Sequence, residues 1–170
     1  MIYFKFLVKT VLFFFLSFFK VFPVKKNQVF FSSFAGRQFS CNPKYLYLYL
    51  VNYNKENFEF IWDFIDLSKK NLVPSAKVVK HNSLKYLYHL LTSGIIVINT
   101  DLQWFYPIRK SQKVLQTWHG GGAYKKVGLS VNWHKIGLLE QKLSGLKNDY
   151  YVSSSGKFTE VQAISKYVDP

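Results

Sequence analysis

The hydrophobic residues of this chain fall into short runs that alternate with longer segments of mixed polarity. The runs are rich in β-branched and aromatic residues, as expected of strands buried on both faces. Strands are predicted in this way over residues 29–33, 58–64, 77–80, 95–99, 113–117 and 149–153. Helices are predicted over residues 42–54, 82–93 and 132–146, with a last helix after residue 155. This alternation predicts an α/β fold with a mainly parallel sheet.

Specific residues mark the ends of two of these helices. Asn42 is a good helix cap, and Pro43 suits the first helical position. Gly94 suits the end of the helix over 82–93. The tyrosines at 45, 47 and 49 alternate as they would in a strand, but the Asn-Pro opening and the length of the segment favour a helix.

The first 22 residues form a hydrophobic segment that contains lysines but no acidic residue. On a helix, Lys5, Lys9 and Lys20 fall within about 60° of one another. Thr10 and Ser17 widen this polar arc, whereas Phe13 and Leu16 interrupt it. A lysine-bearing face opposite a phenylalanine-rich face is typical of a helix that lies in a membrane surface.

Two alternatives remain open for this segment. A transmembrane helix needs about 20 mostly apolar residues, and the lysines shorten the apolar core here. A buried core helix would have to bury lysines without partners, which is costly. A cleaved signal peptide is not predicted, because this segment has no small-residue cleavage site at its end. We therefore predict a membrane-associated helix over 1–24, which precedes a Rossmann-like domain over 25–170.

Composition restricts the function more weakly than the pattern restricts the fold. Of the 170 residues, 49% are apolar and 19% aromatic, so a single folded domain is expected. The net charge of +14 favours partners that are phosphorylated or anionic. The lysines are scattered among aromatic residues rather than clustered, which argues against nucleic acid as a partner. The single cysteine, Cys41, fits a reducing, cytosolic setting.

Several polar residues follow predicted strands, where parallel sheets bind their ligands. Gly36 and Arg37 follow the first strand, and Arg37 suits a phosphate, although a solvated loop arginine is the alternative. Asn99, Thr100 and Asp101 follow the fourth strand and are expected to line a cleft. We interpret His81 and His89 as helix-flank and surface histidines. No residue spacing predicts a metal site or a cofactor.

The densest chemistry lies between Val114 and Gly128, where a predicted strand runs into an aromatic residue, His119, three glycines and two lysines. Gly120, Gly121 and Gly122 would let an anion approach the backbone N–H groups. Lys125 and Lys126 would add positive charge, and His119 has the chemistry of a general base. The alternative is a glycine turn beside a surface histidine. The spacing fits neither the Walker A motif nor the dinucleotide-binding motif.

This segment also resembles a known family. Residues 116–120 with Lys125, Lys126 and Gly128 resemble the Thr-Trp-His-Gly-Thr-Pro-x-Lys-Lys-x-Gly signature of the CDP-glycerol glycerophosphotransferases. These enzymes are the teichoic acid primases and polymerases of Gram-positive bacteria. Residues 30–44, 77–86 and 149–155 resemble further family segments in the expected order, so the resemblance covers roughly residues 24–165.

The resemblance implies the amino-terminal, acceptor-side half of a GT-B glycosyltransferase-type fold. It also implies transfer of glycerol phosphate, or a related alditol phosphate, from a CDP-linked donor to a lipid-linked acceptor at the cytoplasmic membrane face. His119 would be the base, while Arg37, Lys125 and Lys126 would bind phosphates beside the glycine loop of Gly36 and 120–122. The donor half of the family fold would lie outside these 170 residues. The competing hypothesis is a non-catalytic module that binds membranes and polyanions.

Overall fold

The computed structural model describes residues 1–53, 57–120, 126, 128–152, 156 and 159–160. The α-helices in this part of the chain are α1 (Ile2–Ser17), α2 (Cys41–Asn52), α3 (Leu84–Thr92) and α4 (Lys135–Gly145). The strands are β1 (Lys25–Ser32), β2 (Glu59–Phe64), β3 (Ala76–Lys80), β4 (Ser93–Ile98), β5 (Lys113–Gln116) and β6 (Tyr150–Tyr151). Short 3₁₀ helices lie at Phe18–Val21, Leu67–Leu72 and Gly128–Ser130. Most of the predicted last helix lies outside the described residues.

The strands form one parallel sheet in the order β3-β2-β1-β4-β5-β6. The predicted Rossmann-like parallel sheet is therefore confirmed. The chain runs outward from β1 to β3 on one side and then returns to place β4 on the other side of β1. In such sheets the carboxyl ends of the two strands at the reversal form the edges of a ligand-binding crevice. A ligand site is therefore expected beside the loops after β1 and β4.

The sheet is buried on both faces, as its β-branched and aromatic strands predict. Phe30 of β1 points to the face covered by α1 and α3, where it packs with Leu90 and Ile96. The next residue, Phe31, points to the face covered by α2 and stacks on Trp62 with ring centroids 5.4 Å apart. The one-residue alternation of a strand thus supplies both hydrophobic cores.

Helix α1 packs on the α/β layer through a small set of contacts. Leu16 is 1% exposed and belongs to the core beneath α3. Phe6 stacks on Trp104 with ring centroids 5.1 Å apart. Lys9 forms an ion pair with Glu140 of α4 at 2.7 Å, and the indole N–H of Trp104 donates to the same carboxylate at 3.1 Å. The amino-terminal helix is therefore attached to the sheet domain by both apolar and charged contacts.

The face of α1 that packs on the domain is the one that carries the predicted polar arc. Lys9 lies on it, and so do Leu16 and Phe13, the two apolar residues that interrupt the arc. Leu16 is apolar because it contacts the protein interior, whereas the half-buried Phe13 ring lies under the ammonium group of Lys20. The opposite face of α1 is uncovered and consists of large apolar side chains, among them Phe4, Leu7, Val11, Phe15 and Phe18.

The turn after β1 has an unusual backbone. Phe34, Ala35 and Gly36 have φ values of 48°, 52° and 75°. The N–H of Phe34 donates to Oδ1 of Asn99 at 2.7 Å, which joins the ends of β1 and β4. A Cβ atom on Gly36 would lie 2.9 Å from Oδ2 of Asp63 and 3.1 Å from His81. Glycine is therefore required at position 36 for both its φ angle and its close packing.

The interpretation of His89 as a surface histidine is wrong. His89 is 4% exposed, and its Nδ1 atom lies 3.1 Å from Oε1 of Gln28. Ser93 donates to the same oxygen at 3.0 Å, while the amide of Gln28 donates to Glu59 at 3.0 Å. Burial, together with nearby lysines, lowers the pKa of His89 to about 4. The sequence pattern conceals this because α3 is apolar on the face that carries His89.

We expect Gly36→Ala to lower the free energy of unfolding by roughly 2–4 kcal/mol, because the methyl group adds a steric clash to the strain of a left-handed φ. Gly120 has the same φ of 75°, but a Cβ atom added there would meet no atom of the described residues within 4 Å. Gly120→Ala is therefore the matched control and should cost only about 1–2 kcal/mol. Urea denaturation measures both values, and equal losses would show that the Asp63–His81 contact does not constrain position 36.

We expect the folded state to lose stability as the pH falls from about 6.5 to about 4, because the unfolded chain then binds a proton at His89 that the folded chain does not. A His89→Gln variant removes this contribution, so its unfolding free energy should depend less steeply on pH in this range. Denaturant titrations at several pH values measure the difference between the two slopes. Identical slopes for both proteins would contradict a neutral, buried His89.

Candidate active site at the carboxyl edge of the sheet

The loops that leave the carboxyl ends of β1, β3, β4 and β5 meet at one edge of the sheet. They carry Arg37, His81, Asp101 and His119, in that order along the chain. The chain builds the sheet in one direction from β1 to β3 and in the other direction from β4 to β6. Because β1 and β4 are neighbours, this edge contains the reversal at which open α/β sheets bind ligands. The candidate active site therefore lies here.

A tight turn after β5 positions His119. Thr117 donates both its N–H and its hydroxyl to the carbonyl of Ile98, at 2.7 and 3.0 Å. Trp118 then adopts a φ of 54°, and its N–H donates to Oε1 of Gln116 at 2.9 Å. The imidazole of His119 stacks on the Trp118 indole with ring centroids 4.6 Å apart and an interplanar angle of 16°. The half-buried His119 ring is thus held at the sheet edge by aromatic contact and by the strained turn beneath it.

Phe34 brings Arg37 and His119 into one neighbourhood. The centroid of its ring lies 5.1 Å from that of His119. Its carbonyl accepts a hydrogen bond from the guanidinium of Arg37 at 3.3 Å. Arg37 is exposed, and its own carbonyl accepts from Lys69 at 2.6 Å. A permanent positive charge therefore lies on the same loop that packs against the candidate base.

The other predicted site residues are distributed unevenly. Gly120 is exposed beside His119, and Lys126 is exposed as well. Gly36 is buried against Asp63 and His81. Their roles in substrate binding stay predictions. Gly121, Gly122 and Lys125 lie outside the described residues.

The sequence analysis missed a buried charge pair at the same edge. Asp63, near the end of β2, is 0% exposed, and its carboxylate pairs with Nδ1 of His81, whose side chain is 14% exposed. Burial raises the pKa of the Asp63 carboxyl, whereas the hydrogen bond and charge of His81 act in the opposite direction. His81 is therefore more than a helix-flank residue. A lone carboxylate inside the apolar run of β2 was the available signal, because a buried charge needs a partner.

His81 also lines a cavity of about 440 Å³ between α1, α3 and the sheet edge. Thr100 and Asp101 line the same cavity, as predicted for the residues after β4, whereas Asn99 is buried and does not line it. Tyr86 and Tyr106 contribute aromatic walls. Burial, together with the nearby charge of Asp63, raises the pKa of both tyrosines, so their hydroxyl groups are protonated at neutral pH. His119 is not among the described residues that line this cavity.

The edge thus contains two distinct kinds of chemistry. The His119 side offers an imidazole, a guanidinium and exposed backbone at Gly120, which suits proton transfer next to an anion. The His81 side offers a partly open cavity lined by hydrogen-bonding groups, including the carboxylate of Asp101. Among the described residues, no group of three His, Cys, Asp or Glu side chains is arranged to hold a metal ion.

Comparison with known proteins gives this edge a family context. The sequence profile of the family described as CDP-Glycerol:Poly(glycerophosphate) glycerophosphotransferase matches residues 12–166. The chain is 31% identical over 148 residues to a teichoic acid poly(glycerol phosphate) polymerase of Bacillus spizizenii, with 82% of this chain and 37% of the relative covered. It is 33% identical over 112 residues to a teichoic acid glycerol-phosphate transferase of Staphylococcus aureus, with 63% and 27% covered.

Solved structures of the wall teichoic acid polymerase TagF share the fold. A TagF variant soaked with CDPG superimposes with a TM-score of 0.80 at 26% identity, covering 91% of this chain and 41% of TagF. This likeness confirms the predicted Rossmann-like half of a GT-B-type fold. The chain spans well under half the length of these relatives. Since the family profile covers nearly all of its residues, the chain belongs to the CDP-glycerol:poly(glycerophosphate) glycerophosphotransferase family.

Proposed function

We propose that this chain is the acceptor-side half of an enzyme that transfers glycerol phosphate, or a related alditol phosphate, from a CDP-linked donor to a lipid-linked acceptor. The observation that carries the proposal is the position of His119, at the carboxyl edge of the sheet beside the loop that bears Arg37. Family membership and the teichoic acid polymerases among its relatives support the same reaction. The product would be a teichoic acid or a similar polymer of the cell wall.

In this proposal His119 acts as the general base. Its imidazole takes the proton from an acceptor hydroxyl, and the oxygen attacks the β-phosphorus of the donor. A new O–P bond forms, and the bond between that phosphorus and the oxygen of CMP breaks, with its electron pair leaving on CMP. Proton removal by a positioned side chain accelerates such a step by about 10²–10⁴-fold.

Positive groups would hold the phosphates and offset charge that develops during transfer. Arg37 suits this role because its guanidinium is always charged and binds phosphate oxygens in a fixed geometry. Lys126 and, outside the described residues, Lys125 would add to it, together with the backbone of the 120–122 glycine segment. In phosphoryl transfer such positioning and electrostatic stabilisation supply most of the catalysis.

Donor binding is assigned to a part of the enzyme beyond these residues. The chain covers 37% of the Bacillus spizizenii polymerase and 41% of TagF, so most of each relative has no counterpart here. In a GT-B-type enzyme the reaction takes place between two Rossmann-like halves. We therefore infer that transfer needs a second half, which binds the CDP-linked donor against the edge that carries His119.

We further propose that residues 1–24 form a membrane-associated helix and that the α/β domain of 25–170 is held at the cytoplasmic face. The 20 residues from Ile2 to Val21 are the one described segment long and apolar enough to cross a membrane. The exposed apolar face of α1 and its attachment through Lys9 and Glu140 favour a helix lying in the surface. Lys5 and Lys26 are exposed and would attract anionic lipid.

In an enzyme that contains both halves, His119→Ala should lower kcat by at least about a hundredfold, because the acceptor hydroxyl loses its base. His134→Asn is the matched control, since His134 is exposed and caps α4 through a hydrogen bond from the Gly137 N–H that asparagine can replace. A transfer assay with labelled CDP-glycerol measures both. Near-normal turnover of His119→Ala would remove this residue from the proposed role.

Replacing Phe4, Phe15 and Phe18 together by serine should weaken binding to vesicles that contain anionic lipid by at least about tenfold, because each exposed phenyl group loses apolar burial in the membrane. Tyr45, Tyr49 and Tyr53 of the α2 region are exposed to a similar degree, so the triple Tyr→Ser variant is the control. Vesicle sedimentation measures the bound fraction. Equal binding by the two variants would contradict the proposed membrane face.

A further inference from the structure

We propose that the cavity lined by His81 is a binding site for an uncharged, hydroxyl-rich unit, a sugar or an alditol. The inference rests on the proposed function, because it assigns this unit to the acceptor. It adds a site for the part of the acceptor that carries no phosphate. The residues near His119 would meet the reacting end, and the His81 cavity would hold a neutral unit of the same molecule.

The position of the cavity supports a ligand site. Ser32 at the end of β1 and Ile98 at the end of β4 both line it, so it opens on the reversal of the strand order. This is where open α/β sheets bind ligands. A volume of about 440 Å³ falls within the usual range for small-molecule sites.

The lining has the groups that a hydroxyl-rich ligand needs. Asn82, Thr100 and Asp101 supply hydrogen-bond donors and acceptors, while Tyr86 and Tyr106 supply aromatic faces for C–H groups. The hydroxyl of Tyr106 lies 3.4 Å from Oδ1 of Asn82, to which it donates. Polar groups in an otherwise apolar wall are typical of specific small-molecule sites.

The described lining favours a neutral occupant over a phosphate. The chain has 23 Lys and Arg residues, yet none belongs to the described residues that line this cavity. The lining instead includes Asp101, and Asp63 lies behind His81. A phosphate there would lie near these carboxylates, and like charges repel each other at short range. A neutral polyol has no such cost.

His81 is held in one orientation, which a residue needs if it is to bind one ligand selectively. Its Nδ1 atom pairs with buried Asp63, and its ring meets that of Tyr86 edge-on with centroids 4.7 Å apart. The pairing leaves Nε2 as the ring atom for a ligand hydroxyl. Gly36 maintains the arrangement because any side chain there would collide with the pair. In this proposal His81 contacts the ligand directly, and Asp63 positions its ring.

Helix α1 forms one wall of the cavity and connects it to the proposed membrane face. Leu12 and Leu16 line the cavity, while Phe15 and Val11 of the same helix are exposed on its other side. A sugar attached to a lipid could therefore occupy the cavity while its hydrocarbon chain stays in the bilayer. A soluble sugar has the same hydroxyl chemistry, so the experiment includes both sources.

The test is a ligand titration of the full 170-residue chain, followed by NMR of the His81 ring and the Thr100 amide. The neutral probes are glycerol, ribitol, methyl glucoside and N-acetylglucosamine, and the anionic probes are inorganic phosphate and glycerol 3-phosphate. At least one neutral probe should cause saturable shifts at up to about 100 mM, the weak end of specific binding. Saturation by no neutral probe, or by the anionic probes alone, would overturn the proposal.

Substitutions at the cavity then test whether the ligand binds there. Gln103 lies at the exposed rim of the cavity, so Gln103→Trp should narrow it and weaken binding at least about tenfold without disturbing the core. Lys110→Trp is the matched control, because it adds the same indole to an exposed position of the same loop away from the cavity. His81→Gln should weaken binding as well. Binding that Gln103→Trp and His81→Gln both leave unchanged would overturn the assignment of the site.

A comparison of methyl glucoside with octyl glucoside below its micelle concentration distinguishes the two sources. Tighter binding of the octyl compound, abolished by Leu12→Asn, would assign the site to a lipid-linked sugar. Equal affinity would assign it to a soluble one, and both results support a hydroxyl-rich ligand. The titration involves no donor and no transfer. A negative binding result would therefore not contradict the proposed reaction at His119, and an inactive His119 variant would not contradict a positive binding result.

Discussion

The hydrogen bond from the Phe34 N–H to Oδ1 of Asn99 joins the two strand ends on which the candidate site depends. Phe34 follows β1 and Asn99 follows β4, so the bond closes the sheet edge at the reversal of strand order. Around it the ring of Phe34 contacts His119, and its carbonyl accepts from Arg37. Local left-handed backbone at residues 34–36 is the cost of this arrangement. The buried amide of Asn99 thus joins the loop after β1 to the end of β4, and Asn42 joins the following helix to the end of β5 through the Thr117 carbonyl.

The Asp63–His81 pair imposes the second constraint on this edge. A carboxylate with no exposed surface is stable only beside a partner, and removing one member of such a pair is usually costly. The pair in turn requires glycine at position 36 and orients a ring toward the cavity. The proposed base, His119, and the proposed ligand-binding residue, His81, both lie against the loop of residues 34–36. This shared support would hold the proposed phosphate-binding surface and the proposed cavity site at the same edge of the sheet.

Helix α1 packs on the α/β domain and is not a separate membrane anchor joined to it by a linker. Its ion pair with Glu140 and its buried Leu16 attach it to the α/β layer, while its outer face is apolar and uncovered. A helix attached in this way would fix the height and tilt of the sheet edge above a membrane. An acceptor embedded in that membrane would then reach the edge over a short, defined distance. The same helix lines the cavity, so the proposed membrane face and the proposed ligand site would lie on opposite sides of one element.

The order of strands and helices, the parallel α/β class and the family follow from the amino-acid sequence alone, because periodicity and ordered motifs are local properties of the chain. The pattern also identified His119, Arg37 and the residues after β4 as edge residues, since strand ends can be located from it. The three-dimensional arrangement was needed to show that Asp63 pairs with His81, that His89 is buried, and that the polar arc of α1 faces the protein. These features join residues far apart in the chain. Burial and charge pairing depend on which segments pack together in the folded protein, and a local sequence pattern does not contain that information.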